Sequence, residues 1–171
     1  MRFSRQLLLL VWIIPLAGGL QGCTSSGVTQ LADGFKSYDK VADVRARLKQ
    51  AGMSSRWQEQ EKGTSHSDPR PPYQFLTMSG PFSLLAVDGN LKLVFYNGRL
   101  MSTEFSTLHG KEVIAAMRGH GAEVPANARD EVTLDRRTKL RYDIDPTGVF
   151  RFSWRDTKLE DEWLNWVRNN S

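Results

Sequence analysis

Asn97-Gly98 is the strongest local constraint in this chain. Both residue types tolerate positive φ, which a two-residue hairpin turn requires. The dipeptide stands between Leu91–Tyr96 and a return strand running from Arg99 to about Phe105. Its neighbours are therefore predicted to be adjacent antiparallel strands, with Phe95 opposite Leu100 and Val94 opposite Met101.

Other elements follow by period and punctuation. Val41, Val44 and Leu48 recur at helical spacing, predicting a helix over about Tyr38–Ala51, capped by Ser37 or Asp39 and stopped by Gly52. Strands are expected at Arg56–Lys62 (with Trp57 as its anchor), Tyr73–Met78 and Phe82–Val87, with a break at Gly80-Pro81 and a turn at Asp88-Gly89. A second helix is predicted over about Leu108–Arg118. A short strand follows at Glu131–Leu134, then an alternating strand at Lys139–Ile144. Asp145-Pro-Thr-Gly148 has the composition of a type I turn. Val149–Trp154 returns, and Asp156 caps a last helix with the stripe Leu159, Trp163, Trp166 and Val167. Short turns between strands make the sheet mainly antiparallel. The expectation is an α+β domain with a sheet of about five to seven strands and about three covering helices.

The first 23 residues determine where such a domain would sit. Arg2 and Arg5 precede a 14-residue apolar run, Leu7–Leu20, broken by Pro15. A membrane-spanning helix needs about 20 apolar residues. A basic start, a short apolar run and small residues before a cut site suit a secretory signal peptide instead. The run ends in Leu20-Gln21-Gly22-Cys23, which resembles the lipobox of bacterial lipoproteins: an aliphatic residue, a variable one, a small one, then Cys. Gln21 departs from the usual occupant. The resemblance covers the leader alone. It implies cleavage between Gly22 and Cys23, a diacylglyceryl thioether on the Cys23 sulfur, and acylation of the new amino group. Two acyl chains already anchor a protein stably. In the family, Asp after the Cys retains lipoproteins in the inner membrane. Thr24 stands there and points to the outer membrane, with the domain on its periplasmic face.

The division expected is a signal peptide over 1–22, a lipidated Cys and flexible tether over 23–36, and one α+β domain over 37–171. Removing residues 1–22 leaves 149 residues, enough for one domain with its own core. Loss of Arg2 and Arg5 leaves 21 basic against 19 acidic residues, a net +2 rather than +4. That balance gives no reason to expect nucleic acid as a partner. Cys23 is the only cysteine, so the domain would enter an oxidising compartment without a disulfide.

No catalytic constellation emerges. His66, His109 and His120 lack metal-ligand spacing, so no metal is expected. Gly-x-Ser-x-Gly is absent, and the glycines stand singly rather than in a phosphate-binding loop, so no cofactor is expected. Glu160-Asp161-Glu162 reads as a solvated helix face. Arg136, Arg137, Lys139 and Arg141 form the densest basic patch. They are candidates for anionic headgroups or an acidic partner, beside the plainer reading of a solvated strand edge. Trp163 and Trp166 become partner-binding candidates only if both are largely exposed, since exposed aromatics anchor interfaces.

These observations lead to the expectation of a non-enzymatic lipoprotein that binds another envelope protein. At the level of layout the domain resembles small lipoprotein accessory subunits of outer-membrane machines, an analogy of fold alone. Two alternatives remain: a cell-envelope hydrolase, which needs a histidine near a carboxylate and a hydroxyl in a cleft, and a ligand or lipid carrier, which needs an empty groove lined by the Phe and Trp rows.

Overall fold

The computed structural model describes residues 30–32, 34–63 and 74–170. The leader, Gly22, Cys23, His66 and Arg70-Pro71-Pro72 lie outside the described residues. The architecture is α+β. One seven-stranded antiparallel sheet carries helices on both faces.

The chain enters through a small hairpin, β1 (Gln30–Ala32) and β2 (Phe35–Lys36). Gly34 turns it at φ +76°. Phe35 is buried in the main core, its ring 5.9 Å from that of Phe82. The folded body therefore starts before Ser37, and the expected tether is correspondingly shorter. Phe35 is the apolar residue that this hairpin delivers to the core.

Helix α1 (Val41–Gln50) buries Val44 and Leu48. Neither Ser37 nor Asp39 caps it: Lys40 stands at the N-cap without a side-chain bond. Asp39 instead accepts from the Lys36 N–H at 2.9 Å and from Arg47. The helix closes as expected, on Gly52 at φ +68°, with Met53 N–H donating to Leu48 O and Gly52 N–H to Lys49 O. This paired closure satisfies two orphan carbonyls. A 3₁₀ turn, Ser54–Arg56, leads through Trp57 into β3 (Gln58–Gly63).

Strand β4 (Gln74–Leu84) runs straight through Gly80-Pro81, where a break was expected. The glycine serves packing: a Cβ there would lie 2.8 Å from the Trp57 ring. The indole thus rests directly on the sheet. Pairing with β3 reaches only Ser79, so Pro81 sits where β4 is an edge strand and a missing N–H is tolerated. The next turn is also displaced. Leu85 and Ala86 make it, at φ +52° and +63°, while Asp88 and Gly89 lie within β5 (Val87–Tyr96), opposite Ser83 and Phe82.

Asn97 and Gly98 turn β5 into β6 (Arg99–Thr107) at φ +47° and +74°. Phe95 faces Leu100 as expected, but a bulge places Ser102, not Met101, opposite Val94. Leu100 joins the main core and its neighbour Met101 a second cluster, and the extra residue shifts the alternation so that Phe105, an odd number of residues on, shares the face of Leu100.

Helix α2 (Gly110–Gly119) buries Val113 and Met117 and closes on Gly121 in the same way as α1. Then come β7 (Glu131–Thr133), β8 (Thr138–Ile144) and β9 (Phe150–Asp156). Asp145 accepts from Thr147 and Val149 N–H groups, which pins the Asp145–Gly148 turn. The spatial order is β3-β4-β5-β6-β9-β8-β7, so β9 docks on β6 and joins the later strands to the same sheet.

Helix α3 (Thr157–Asn170) starts on Asp156, whose Oδ1 accepts the Leu159 N–H at 3.0 Å. Residues alternate faces along a strand. Phe95, Phe105, Phe152 and Leu140 point toward α1 and α2, while Tyr96 and Met101 point toward α3 and pack on Leu159, Phe75 and Trp163.

Candidate functional site

The expected basic patch is built, but it is largely neutralised. Lys139 and Arg141 share one face of β8, as their spacing requires. Lys139 Nζ lies 2.7 Å from Glu131, and Arg141 approaches Asp143 at 4.0 Å. Arg155 joins Glu131 to Glu160. Lys139 and Arg155 therefore hold the Glu131 carboxyl below the usual carboxylate range. Arg137 donates from Nη2 to both Asp156 oxygens, at 3.0 and 2.9 Å, and its guanidinium lies 4.9 Å from the centre of the Tyr38 ring. Asp156 is wholly buried. Of the four basic candidates only Arg136 is exposed without an ion pair among the described residues.

The tryptophan condition is not met. Trp163 and Trp166 are both half-buried, and Trp163 packs edge-on against Phe75 at 5.2 Å. Phe150, Phe152 and Trp154 belong to the packed main core, so those rows line no groove. Glu160 and Glu162 are not a free helix face: they reach back to Arg155 and Arg99.

A histidine-based hydrolase finds no supporting arrangement among the described residues. His109 Nδ1 meets Glu112 at 3.0 Å on exposed helix surface, and His120 is exposed at the other end of α2. Ser37-Tyr-Asp-Lys40 has the Ser-x-x-Lys spacing of some serine nucleophiles. Ser37 is fully buried and Lys40 exposed, so the amine is not presented to the hydroxyl.

What the sequence did not indicate is a groove along α1. Two open hollows flank Leu48. One, about 220 Å³, lies between α1 and the sheet, over Trp57 and Met78, with Arg45, Lys49 and Glu59 at its rim. The other, about 230 Å³, is lined by Phe35, Ala51, Met53 and Phe82, with Gly34 and Arg47 beside them. Each is large enough for one apolar side chain. Arg45 forks onto Glu59 at 3.0 and 2.6 Å, tying helix to strand and holding that carboxyl below its usual range. Beside the first hollow runs β3, one of the two outer strands of the sheet among the described residues. The only signs of it in the sequence are Gly80, which admits the Trp57 ring, and Phe35 in what resembles linker.

No group of acidic, His or Cys side chains among the described residues has the form of a metal site. No described helix is long and apolar enough to cross a membrane. No family model matches the chain, and no curated protein matches it.

Proposed function

We propose that the chain is a lipoprotein of the outer membrane, anchored through Cys23 and facing the periplasm, whose domain binds another envelope protein and catalyses nothing itself. The lipobox supports the anchor. The observation that carries the binding role is the α1 groove: two adjacent apolar hollows, open to solvent, alongside an outer strand. An extended partner segment would place two apolar side chains on either side of Leu48 and lie beside β3, where backbone pairing adds affinity without sequence demands.

The test is a photo-reactive residue at Lys49, at the rim of the first hollow, with another at Lys111 on α2 as control. Cells expressing the full chain are irradiated and adducts identified by mass. A discrete envelope-protein adduct from position 49, lost in Ser54→Trp, where an exposed lining residue is enlarged to fill the first hollow, is the expected result. Adducts from position 111 alone would move the interface elsewhere. The apolar lining also favours a second reading, an acyl ligand held in the groove. Mass analysis of the natively purified protein distinguishes it, because a stoichiometric lipid other than that on Cys23 would replace the protein partner.

A further inference from the structure

We infer that the domain stands on the membrane by one particular end, with the β7–β8 loop and the first turn of α3 against anionic lipid headgroups. The inference rests on the lipid anchor proposed above.

Its first support is where the chain enters the fold. Gln30 pairs with Lys36, and two residues later Tyr38 N–H bonds Leu100 O at the start of β6. β1 also lies against β6 and β9. The C-terminal end of β9 carries Asp156, paired with Thr138 and held by Arg137. Thr157 N–H bonds Arg137 O. The entry point, the β7–β8 loop and the start of α3 therefore occupy the same end of the sheet. Seven residue steps separate Gln30 from Cys23, so the acylated residue is at most about 24 Å away when fully extended. The entry end therefore stays within that distance of the acylated residue.

Its second support is what that end presents. Leu134 is one of the few exposed large apolar side chains, 36% accessible. Arg136, Lys158 and Lys36 are exposed and form no ion pair among the described residues. Several carboxylates accompany them: Asp39, Glu160 and Glu162 are paired with Arg47, Arg155 and Arg99, and two others are not in ion pairs among the described residues. Asp135 is hydrogen-bonded to the Arg137 and Thr138 N–H groups at 2.7 and 2.8 Å, and Asp161 is exposed. Three cations and an exposed leucine at one end of the sheet suit a phosphate-bearing surface at the depth of the headgroups. In this pose the hairpin tip at Gly34, and with it the α1 groove, lies on the side away from the lipid.

The test compares two positions. Leu108 is more exposed than Leu134, at 67%, but follows the far end of β6, about 27 Å away along the strand. With Cys23 acylated, Leu134→Cys and Leu108→Cys each supply a single free thiol for an environment-sensitive fluorophore. The full-length lipidated protein is reconstituted into vesicles of phosphatidylethanolamine and phosphatidylglycerol carrying a headgroup-level quencher. Quenching several-fold stronger at 134 than at 108 is expected. Arg136→Glu with Lys158→Glu should reduce it at 134 by at least half without affecting flotation. Equal quenching at the two positions, or a charge-reversed protein that quenches unchanged, overturns the inference while leaving the anchor intact. Protein that fails to float and carries an unmodified Cys23 overturns both.

Discussion

Asp156 joins three elements, and its removal should be the costliest polar substitution in the domain. Its carboxylate ends β9, caps α3 through Leu159 N–H and receives both contacts from Arg137 Nη2, while being fully buried itself. Losing the cap costs about 1 kcal/mol. Removing one partner of a buried pair costs about 3–5 kcal/mol, because the other charge stays buried. The Arg137 side chain is 19% accessible and can partly reach water, so the lower end applies. Asp156→Ala should therefore lose about 3–4 kcal/mol, which in a domain this size lowers Tm by about 6–15 °C. Asp156→Asn keeps the cap acceptor and the volume and should lose about half as much. Urea unfolding of the two variants, of Arg137→Met and of the double variant closes a cycle whose coupling should be about 1–3 kcal/mol. The reasoning is refuted if Asp156→Ala costs under about 1 kcal/mol, a value the cap alone would account for.

Three further outcomes follow from local geometry. Gly98→Val meets no side chain, since nothing lies within 4 Å of its Cβ position, yet it forces a β-branched residue to φ +74°; a loss of about 1–2 kcal/mol in thermal unfolding is expected, and unchanged stability would contradict the strain argument. Gly110→Ala should cost more, because its Cβ would lie 1.9 Å from Phe150 in the core; overpacking of this kind costs about 1–3 kcal/mol or more, read from the urea midpoint. The Glu131 carboxyl is depressed in the folded state, so the unfolded chain binds its proton first; that contribution is complete above the ordinary carboxylate range and disappears as pH falls through the lowered value. Urea midpoints from about pH 5 down to about pH 3 should fall less steeply for Glu131→Gln than for the parent.

Legibility differed between turn chemistry and packing. Asn97-Gly98 was readable because the positive φ of the turn, +47° and +74°, selects those two residue types locally. Asp88-Gly89 misled because Gly89 makes room for a neighbour instead of turning the chain. A Cβ there would lie 2.5 Å from the Phe105 ring and from Ser106 O. Leu85 and Ala86 then take positive φ without the residues that favour it, a strain held by the long β4–β5 pairing on either side. Gly80 served the Trp57 ring rather than a break, and Met101 was displaced by a bulge that no local pattern announces. The cap at Asp156 was legible, but its ion pair was not, because Arg137 is remote in sequence and reaches it only through the β8–β9 register. The α1 groove was hidden for the same reason. Its walls come from the entry hairpin, α1, the residues after it and β4, and composition carries no trace of their meeting.

The short spacer between Cys23 and Gln30 gives the binding proposal its most direct mechanical test. If the domain stands on the bilayer by its entry end, the α1 groove is held at a fixed height. A partner whose binding segment lies at that height gains effective concentration, which decreases as the linker grows. Inserting ten Gly/Ser residues after Ser25 would raise the greatest reach from about 24 Å to about 58 Å. The inserted residues precede the described fold, so urea stability should not change. Crosslinking from position 49 should decline if the partner is itself membrane-embedded, and quenching at position 134 should decline with it. Undiminished crosslinking and quenching together would mean that the spacer does not position the groove, and the α1 surface would then be available to any periplasmic partner regardless of where the anchor holds the domain.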